Sequence, residues 1–136
     1  MTHDIRHKKL YEKNVKAKIN NFTDLVVWQE AEKLVLIIYK LTKNFPKDEL
    51  FGLVSQLRRA SLSITSNIAE GFGRYHFKDK IRFYHQARGS NSEVENLILI
   101  CTRLNYINQS DCNGIIQQIR TIQQLLNGLI NATGKK

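Results

Sequence analysis

The sequence predicts an all-α protein: an antiparallel up-down-up-down four-helix bundle with a basic N-terminal arm. Apolar residues recur at helical spacing in four separate segments, whereas no segment shows a strand pattern of comparable strength. One proline and seven glycines in 136 residues leave few interruptions, which favours long helices over the many turns of a β-sandwich. Amphipathic helices joined by short connections are typical of antiparallel bundles.

The first helix is predicted over residues 24–44 and is followed by a turn at Pro46. Its apolar stripe consists of Leu25, Trp28, Val35, Ile38 and Leu41, widened by Leu34 and Ile37. Proline favours the first turn of a helix, so the second helix is predicted to begin at this turn and to run to Phe72. Gly71 and Gly73 predict its end.

The third helix is predicted from Phe77 to Tyr106, and the fourth from Ser110, its N-cap, to Asn131. A heptad seam follows the third helix through Phe83, Ala87, Ser90, Val94, Leu97, Cys101 and Leu104. Gly89 interrupts this helix, so either the helix kinks there or another backbone approaches closely. The fourth helix carries Ile115, Ile119, Ile122, Leu126 and Leu129 on its apolar face.

The net charge of +9 is concentrated in two segments. Residues 1–21 contain six Lys or Arg against two acidic residues, and residues 74–88 contain five against one. We interpret residues 1–21 as a flexible or partly helical basic arm, residues 22–132 as the four-helix bundle and residues 133–136 as a tail. Clustered positive charge indicates a polyanionic partner, and the other interpretation is a merely soluble basic protein.

The second helix combines a core face with a polar stripe about 100° to one side. The core face contains Leu53, Leu57, Ala60, Ile64 and Ile68, and the stripe contains Gln56, Arg59, Ser63, Asn67 and Glu70. Leu62 and Ala69 lie on the far side, with Arg58 and Phe51 near them, so little freely solvated charged surface is left. We therefore expect other subunits to help surround this helix, with the stripe as an inter-helix or inter-subunit polar seam. The alternative is an exposed flank with ordinary ion pairs.

The predicted nucleic-acid contacts are cations near the start of the third helix: Arg74, Lys78, Lys80, Arg82 and Arg88. Lys78, Arg82 and His85 share a face turned away from the apolar seam, so we expect them to be solvated. Such side chains neutralise phosphates and give an affinity that falls steeply with salt. The aromatic residues Tyr75 and Phe77 either stack on unpaired bases or pack at the helix start.

Three segments, "FTDLVVWQEAEKL", "QLRRASLSITSNIAEGFGR" and "RFYHQARGSNSEVE", closely resemble a bacterial four-helix-bundle family. This family includes proteins encoded in intervening sequences of large-subunit ribosomal RNA genes, and members are sometimes labelled ribosomal proteins. The accessory variability determinant of diversity-generating retroelements looks like a relative. The resemblance implies a ring-shaped assembly, a homopentamer, with a nucleic-acid-linked role and no catalysis. Thr65 departs from the family pattern, in which this position is often proline.

No pattern in the sequence indicates an enzyme, a cofactor site or a metal site. His3 and His7 have i,i+4 spacing but no supporting acid. Cys101 and Cys112 cannot make a disulfide framework, so we expect reduced, buried thiols in a reducing cytoplasm. The chain shows no signal peptide and no apolar run long enough for a membrane span, which predicts a soluble, cytoplasmic protein.

The sequence therefore predicts a non-enzymatic, oligomeric bundle that binds structured RNA or DNA, mainly through phosphate contacts. The alternative is a scaffold ring that holds a partner protein, such as a reverse transcriptase, without binding nucleic acid directly. A membrane partner is not expected, because the basic arm lacks a sustained apolar face.

Overall fold

The computed structural model describes residues 18–135, which contain four long α-helices and no strand. The helices are α1 (Val26–Thr42), α2 (Ser55–Gly73), α3 (Phe77–Arg103) and α4 (Gln109–Gly134). The all-α class and the four predicted helices are confirmed. Residues 1–17 of the predicted basic arm lie outside the described residues.

The hydrophobic core lies between the four helices: α2 packs against α1 and α3, and α4 packs against α1 and α3. Its largest fully buried apolar side chains are Leu34, Ile38, Leu57, Ile64, Ile68, Ile98, Ile119, Ile122 and Leu126. Each such side chain contributes roughly 1.5–3 kcal/mol of transfer free energy. The core faces predicted for the second and fourth helices are therefore correct, while Ile37 of the first helix is exposed.

Helix α1 also contacts α4 through a buried carboxylate. Glu30 lies inside this contact, where its Oε2 pairs with Lys33 Nζ at 2.6 Å. Gln118 of α4 donates its amide to the Glu30 carbonyl oxygen at 2.8 Å and to Glu30 Oε1 at 3.3 Å. Because a buried carboxylate needs compensating donors, these bonds allow Glu30 to remain inside the α1–α4 contact.

The start of α2 differs from the prediction. Pro46 caps a short 3₁₀ turn, Lys47–Glu49, which continues into a π turn, Leu50–Val54, before α2 begins. The carboxylate of Glu49 accepts a bond from the Leu53 backbone N–H at 3.4 Å and another from the Tyr106 hydroxyl at 3.0 Å. The hydrogen bond between the Tyr106 hydroxyl and Glu49 raises the pKa of Tyr106. Glu49 thus joins the segment before α2 to the segment that follows α3.

The predicted end of α2 is correct to within one residue, since the helix ends at Gly73, but neither Gly71 nor Gly73 adopts the left-handed conformation of a glycine cap. The chain instead becomes extended at Arg74. Lys80 of α3 donates from Nζ to the backbone oxygens of Phe72 at 2.7 Å and Gly71 at 3.4 Å. A side chain from the next helix therefore satisfies carbonyl groups that a helix end leaves open.

The buried seam of α3 is turned by one residue from the prediction in its first half. Tyr84 and Asn91 are buried, whereas Phe83 and Ser90 lie at the flank and Leu104 is largely exposed. The buried positions are Tyr84, Ala87, Asn91, Val94, Leu97, Ile98 and Cys101. The Tyr84 ring takes the inner position because it packs directly over a glycine of α2, and burial raises its pKa to about 12.

The connection from α3 to α4 uses a left-handed asparagine. Asn105 has φ 65°, the Asn105 N–H bonds to the Thr102 oxygen, and the Tyr106 N–H bonds to the Cys101 oxygen. These two bonds form a Schellman motif, in which asparagine replaces the usual glycine. The N-cap of α4 is Asn108, not Ser110, and the helix continues past residue 131 to Gly134.

Gly89 lies within a continuous α3, and among residues 18–135 no atom outside the adjoining helix backbone comes within 4 Å of the position that a Cβ atom would occupy. Between these residues, neither a helix break nor a close approach of another backbone therefore explains the glycine. Gly71 is the opposite case, because an added Cβ would lie 2.6 Å from Tyr84 Cε1 and 3.1 Å from the Lys80 carbonyl oxygen.

We predict that Gly89→Ala raises the free energy of unfolding by about 1 kcal/mol, because alanine favours a helix interior and this position is open. Gly71→Ala should lower it, since the new methyl group overlaps the Tyr84 ring. Urea unfolding followed by circular dichroism measures both changes. A loss of stability in Gly89→Ala would contradict the open environment of this position.

Candidate nucleic-acid interface

Cations from two helices converge at the turn between α2 and α3. Arg74 follows the last residue of α2, and α3 begins at Phe77 after an N-cap, His76, that makes no side-chain capping bond. Lys78 and Arg82 lie one turn apart on α3, and both are exposed. The short connection therefore brings the end of one helix and the first turns of the next into a single basic surface.

Phe83 holds two guanidinium groups of this surface. The Arg74 Cζ atom lies 4.7 Å from the centroid of the Phe83 ring, and the Arg82 Cζ atom lies 4.6 Å from it. A cation over an aromatic face is attracted by the ring quadrupole, while the guanidinium edge keeps its N–H donors for other partners. The residue predicted to lie in the apolar seam thus serves as a platform for two arginines.

Acidic side chains neutralise little of the positive charge on this surface. Arg74 Nη2 pairs with Glu70 Oε2 at 3.2 Å, with side-chain exposures of 46% and 59%. Such an exposed pair contributes less than about 1 kcal/mol. Among residues 18–135, the side chains of Lys78 and Arg82 have no hydrogen bond or ion pair, and the Arg82 guanidinium lies over the Phe83 ring. Arg74, Lys78 and Arg82 are therefore accessible to an anionic ligand.

The other two predicted phosphate contacts are engaged within the fold. Lys80 bonds to the carbonyl groups at the end of α2, as described above, and its Nζ lies 5.4 Å from the Phe72 ring centroid. Arg88 Nη1 donates to Asn127 Oδ1 of α4 at 3.0 Å, and its Nη2 lies 3.0 Å from His85 Nδ1. Lys80 and Arg88 are therefore bonded within the fold, unlike Arg74, Lys78 and Arg82, which are accessible.

The polar stripe of α2 divides into two parts. Ser63 and Asn67 are half-buried: the hydroxyl groups of Ser63 and of Ser90 on α3 lie 2.8 Å apart, and within α2 Asn67 Nδ2 donates to the Ser63 carbonyl oxygen at 2.9 Å and to its Oγ at 3.0 Å. Gln56, Arg59 and Glu70 are exposed. Within one chain, Ser63 bonds across to α3, and Gln56, Arg59 and Glu70 form an exposed flank; a seam between subunits stays a prediction.

The far side of α2 presents apolar groups to solvent. The Phe51 side chain is 92% exposed and that of Leu62 is 41% exposed. They line a groove together with Tyr39 of α1, Arg58 of α2 and neighbouring residues. Arg58 donates from Nε to Thr42 Oγ1 at 3.0 Å, and its Cζ lies 4.6 Å from the Tyr39 ring centroid. This side is the one that the sequence identified as short of charge.

The aromatic residues of the turn, Tyr75 and Phe77, are both exposed, and base stacking by either stays a prediction. Tyr75 is 89% exposed, and its one ring contact among the described residues is a perpendicular one with His76, at 5.1 Å between centroids. Phe77 at the start of α3 is 45% exposed. Tyr75 therefore does not pack at the helix start. The sequence pattern alone gave no means of distinguishing it from Phe72 and Phe83, which do pack against other side chains.

Cys101 is a buried thiol in the core of the bundle. Burial and the nearby charge of Glu49 raise the pKa of the Cys101 thiol to about 11, which keeps it protonated and weakly nucleophilic at neutral pH. Between residues 18 and 135, no group of three or more His, Cys, Asp or Glu side chains is arranged to hold a metal ion. In the same part of the chain, none of the helices has both the length and the apolar character that a membrane crossing requires.

Comparison with known proteins identifies a family. A solved structure of similar fold is a protein with unknown function from the S23 ribosomal protein family of Bacteroides thetaiotaomicron VPI-5482, with a TM-score of 0.73 and 24% identity over 78% of this chain and 96% of that chain. Comparison with curated proteins gives no match. The relation to the accessory variability determinant stays a prediction. A family model described as 23S rRNA-intervening sequence protein matches residues 23–128, from before α1 to near the end of α4. The chain therefore belongs to the family of 23S rRNA-intervening sequence proteins.

Proposed function

We propose that this chain forms an antiparallel up-down-up-down bundle, assembles into a homo-oligomer and binds structured RNA or DNA without catalysing a reaction. The observation that carries this proposal is the exposed group of Arg74, Lys78 and Arg82, two of which share the Phe83 ring. We call these three residues the turn cations. The family name refers to ribosomal RNA genes, and this supports an RNA ligand.

The turn cations suit phosphate contacts better than base recognition. Guanidinium groups bind phosphate oxygens bidentately, and an ammonium group acts as a point charge. Neither specifies a sequence when it contacts the backbone alone. We therefore propose a ligand recognised mainly through its phosphates, with an affinity that falls as salt rises.

Oligomer formation strengthens weak phosphate binding. A pentamer, the state implied by the family resemblance, carries a formal charge of +45, five times the +9 of one chain. Repeated sites on one assembly raise the overall affinity through effective concentration. The exposed apolar residues Phe51 and Leu62, beside Gln56 and Arg59, are the surface that we propose to be covered by another copy. The comparisons do not favour the alternative of a scaffold for a reverse transcriptase.

We predict that the triple variant Arg74→Glu, Lys78→Glu and Arg82→Glu weakens RNA binding at least tenfold. Each lost phosphate contact lowers the slope of log affinity against log salt by about 0.7 to 0.9, so the slope should fall by about two to three. Gel shifts or fluorescence anisotropy at several salt concentrations measure both quantities.

The matched control is Lys40→Glu, Lys43→Glu and Lys47→Glu, which makes the same charge change at exposed residues near the end of α1. Equal losses in the two triple variants would show that only net charge matters and would remove the turn cations from the proposal. If the first triple variant bound RNA as tightly as wild type, the turn cations would likewise be removed from the proposal.

We predict that Phe51→Asp lowers the mass of the assembly in light scattering while helix content stays unchanged, because a charge would be buried in the contact between copies. Leu36→Asp on α1 is the control, since Leu36 is also exposed at 63%. A wild-type mass equal to the 15.8 kDa chain would refute oligomer formation. If only the Leu36 variant had a lower assembly mass, the contact between copies would lie on α1 and not at Phe51.

A further inference from the structure

The side chain of Tyr75 is almost entirely outside the fold. It lies in the connection between α2 and α3, is 89% exposed and makes no hydrogen bond to residues 18–135. An aromatic ring contributes to folding mainly through buried area, and little of this ring is buried. The Tyr75 side chain therefore contributes little to the stability of the fold.

The faces of the Tyr75 ring are not occupied by the neighbouring cations. Arg74 and Arg82 lie over Phe83, and Lys80 lies near Phe72. The contact with His76 is edge-to-face, with an interplanar angle of 88°. No described side chain stacks in parallel on Tyr75, so the ring has room for a planar ligand.

The charge around Tyr75 indicates the class of that ligand. The turn cations flank the ring on both sides in sequence, and the acidic residues nearby are Glu70, which already pairs with Arg74, and Asp79. An apolar protein segment gains nothing from such a setting, whereas a nucleotide supplies both a flat base and an anionic phosphate. Bases inside a duplex are stacked on one another, so their faces are not available to a protein side chain.

We propose that the turn between α2 and α3 binds unpaired nucleotides, with a base stacked on Tyr75 and the adjacent phosphates held by Lys78 and Arg82. This inference rests on the proposed function and adds the form of the ligand: a single strand, loop or bulge. Stacking of one base on an aromatic side chain changes affinity by about tenfold. The turn therefore prefers single-stranded over fully paired RNA.

The test compares two probes at one ionic strength: a fluorescein-labelled 20-nucleotide single-stranded RNA without internal pairing, and a blunt 20-base-pair RNA duplex. Tyr75→Ala should bind the single strand about tenfold more weakly, with an unchanged salt slope, and bind the duplex within twofold of wild type. Tyr75→Phe keeps the ring and should bind both probes like wild type. Leu36→Ala removes an exposed apolar side chain on α1, away from both the turn and the proposed contact between copies, and is the control.

A second readout reports on stacking itself. Trp28 is the one tryptophan of the chain, so Tyr75→Trp combined with Trp28→Phe places a single fluorophore at the turn. Addition of the single strand should quench its fluorescence, and addition of the duplex should leave the fluorescence nearly unchanged.

The outcomes separate this inference from the proposed function. If wild type binds neither probe, both fail. If wild type binds the probes and Tyr75→Ala lowers neither affinity, or lowers both equally, the stacking role is refuted while phosphate binding stands. If Tyr75→Ala instead lowers the mass of the assembly with RNA affinity unchanged, Tyr75 is a contact between protein chains and the inference is overturned.

Discussion

The close contact between α2 and α3 at Gly71 determines how the basic turn is built. The absence of a side chain at Gly71 lets the Tyr84 ring lie against α2, and this contact turns the first half of α3 so that Phe83 lies at the flank. Once Phe83 is at the flank, the guanidinium groups of Arg74 and Arg82 can both lie against its ring. A packing constraint inside the protein thereby positions charges on its surface.

The cations of this short basic segment have two different functions, and each function is served by one lysine and one arginine. Lys80 uses its ammonium group to satisfy carbonyl groups at the end of α2, and Arg88 bonds across to α4. Lys78 and Arg82 lie on the same helix but point away from these partners and remain in contact with solvent. Net charge alone overstates the surface available to a polyanion, because part of the positive charge is used to hold the helices together.

The sequence predicted the number of helices and the core faces of α2 and α4 because these features follow from periodicity. It failed where two similar residues are adjacent, as at Phe83 and Tyr84, since either assignment satisfies a helical pattern. The contact that decides between them comes from Gly71, which lies thirteen residues before Tyr84 and on another helix. The roles of Lys80 and Arg88 were likewise not predictable, because both depend on partners in other helices. The exposure of Tyr75 was not predictable either, because it depends on whether side chains of other helices cover the ring.

Charged side chains hold the π turn before α2 and the last turn of α2. The carboxylate of Glu49 accepts from the Leu53 N–H in the π turn and is also bonded to Tyr106, while the ammonium group of Lys80 lies at the last carbonyl groups of α2, where the helix dipole favours a cation. Helices commonly fray from free termini, and α2 has none. The surface that α2 offers to other molecules is therefore preorganised, so a binding partner loses little conformational entropy in ordering it.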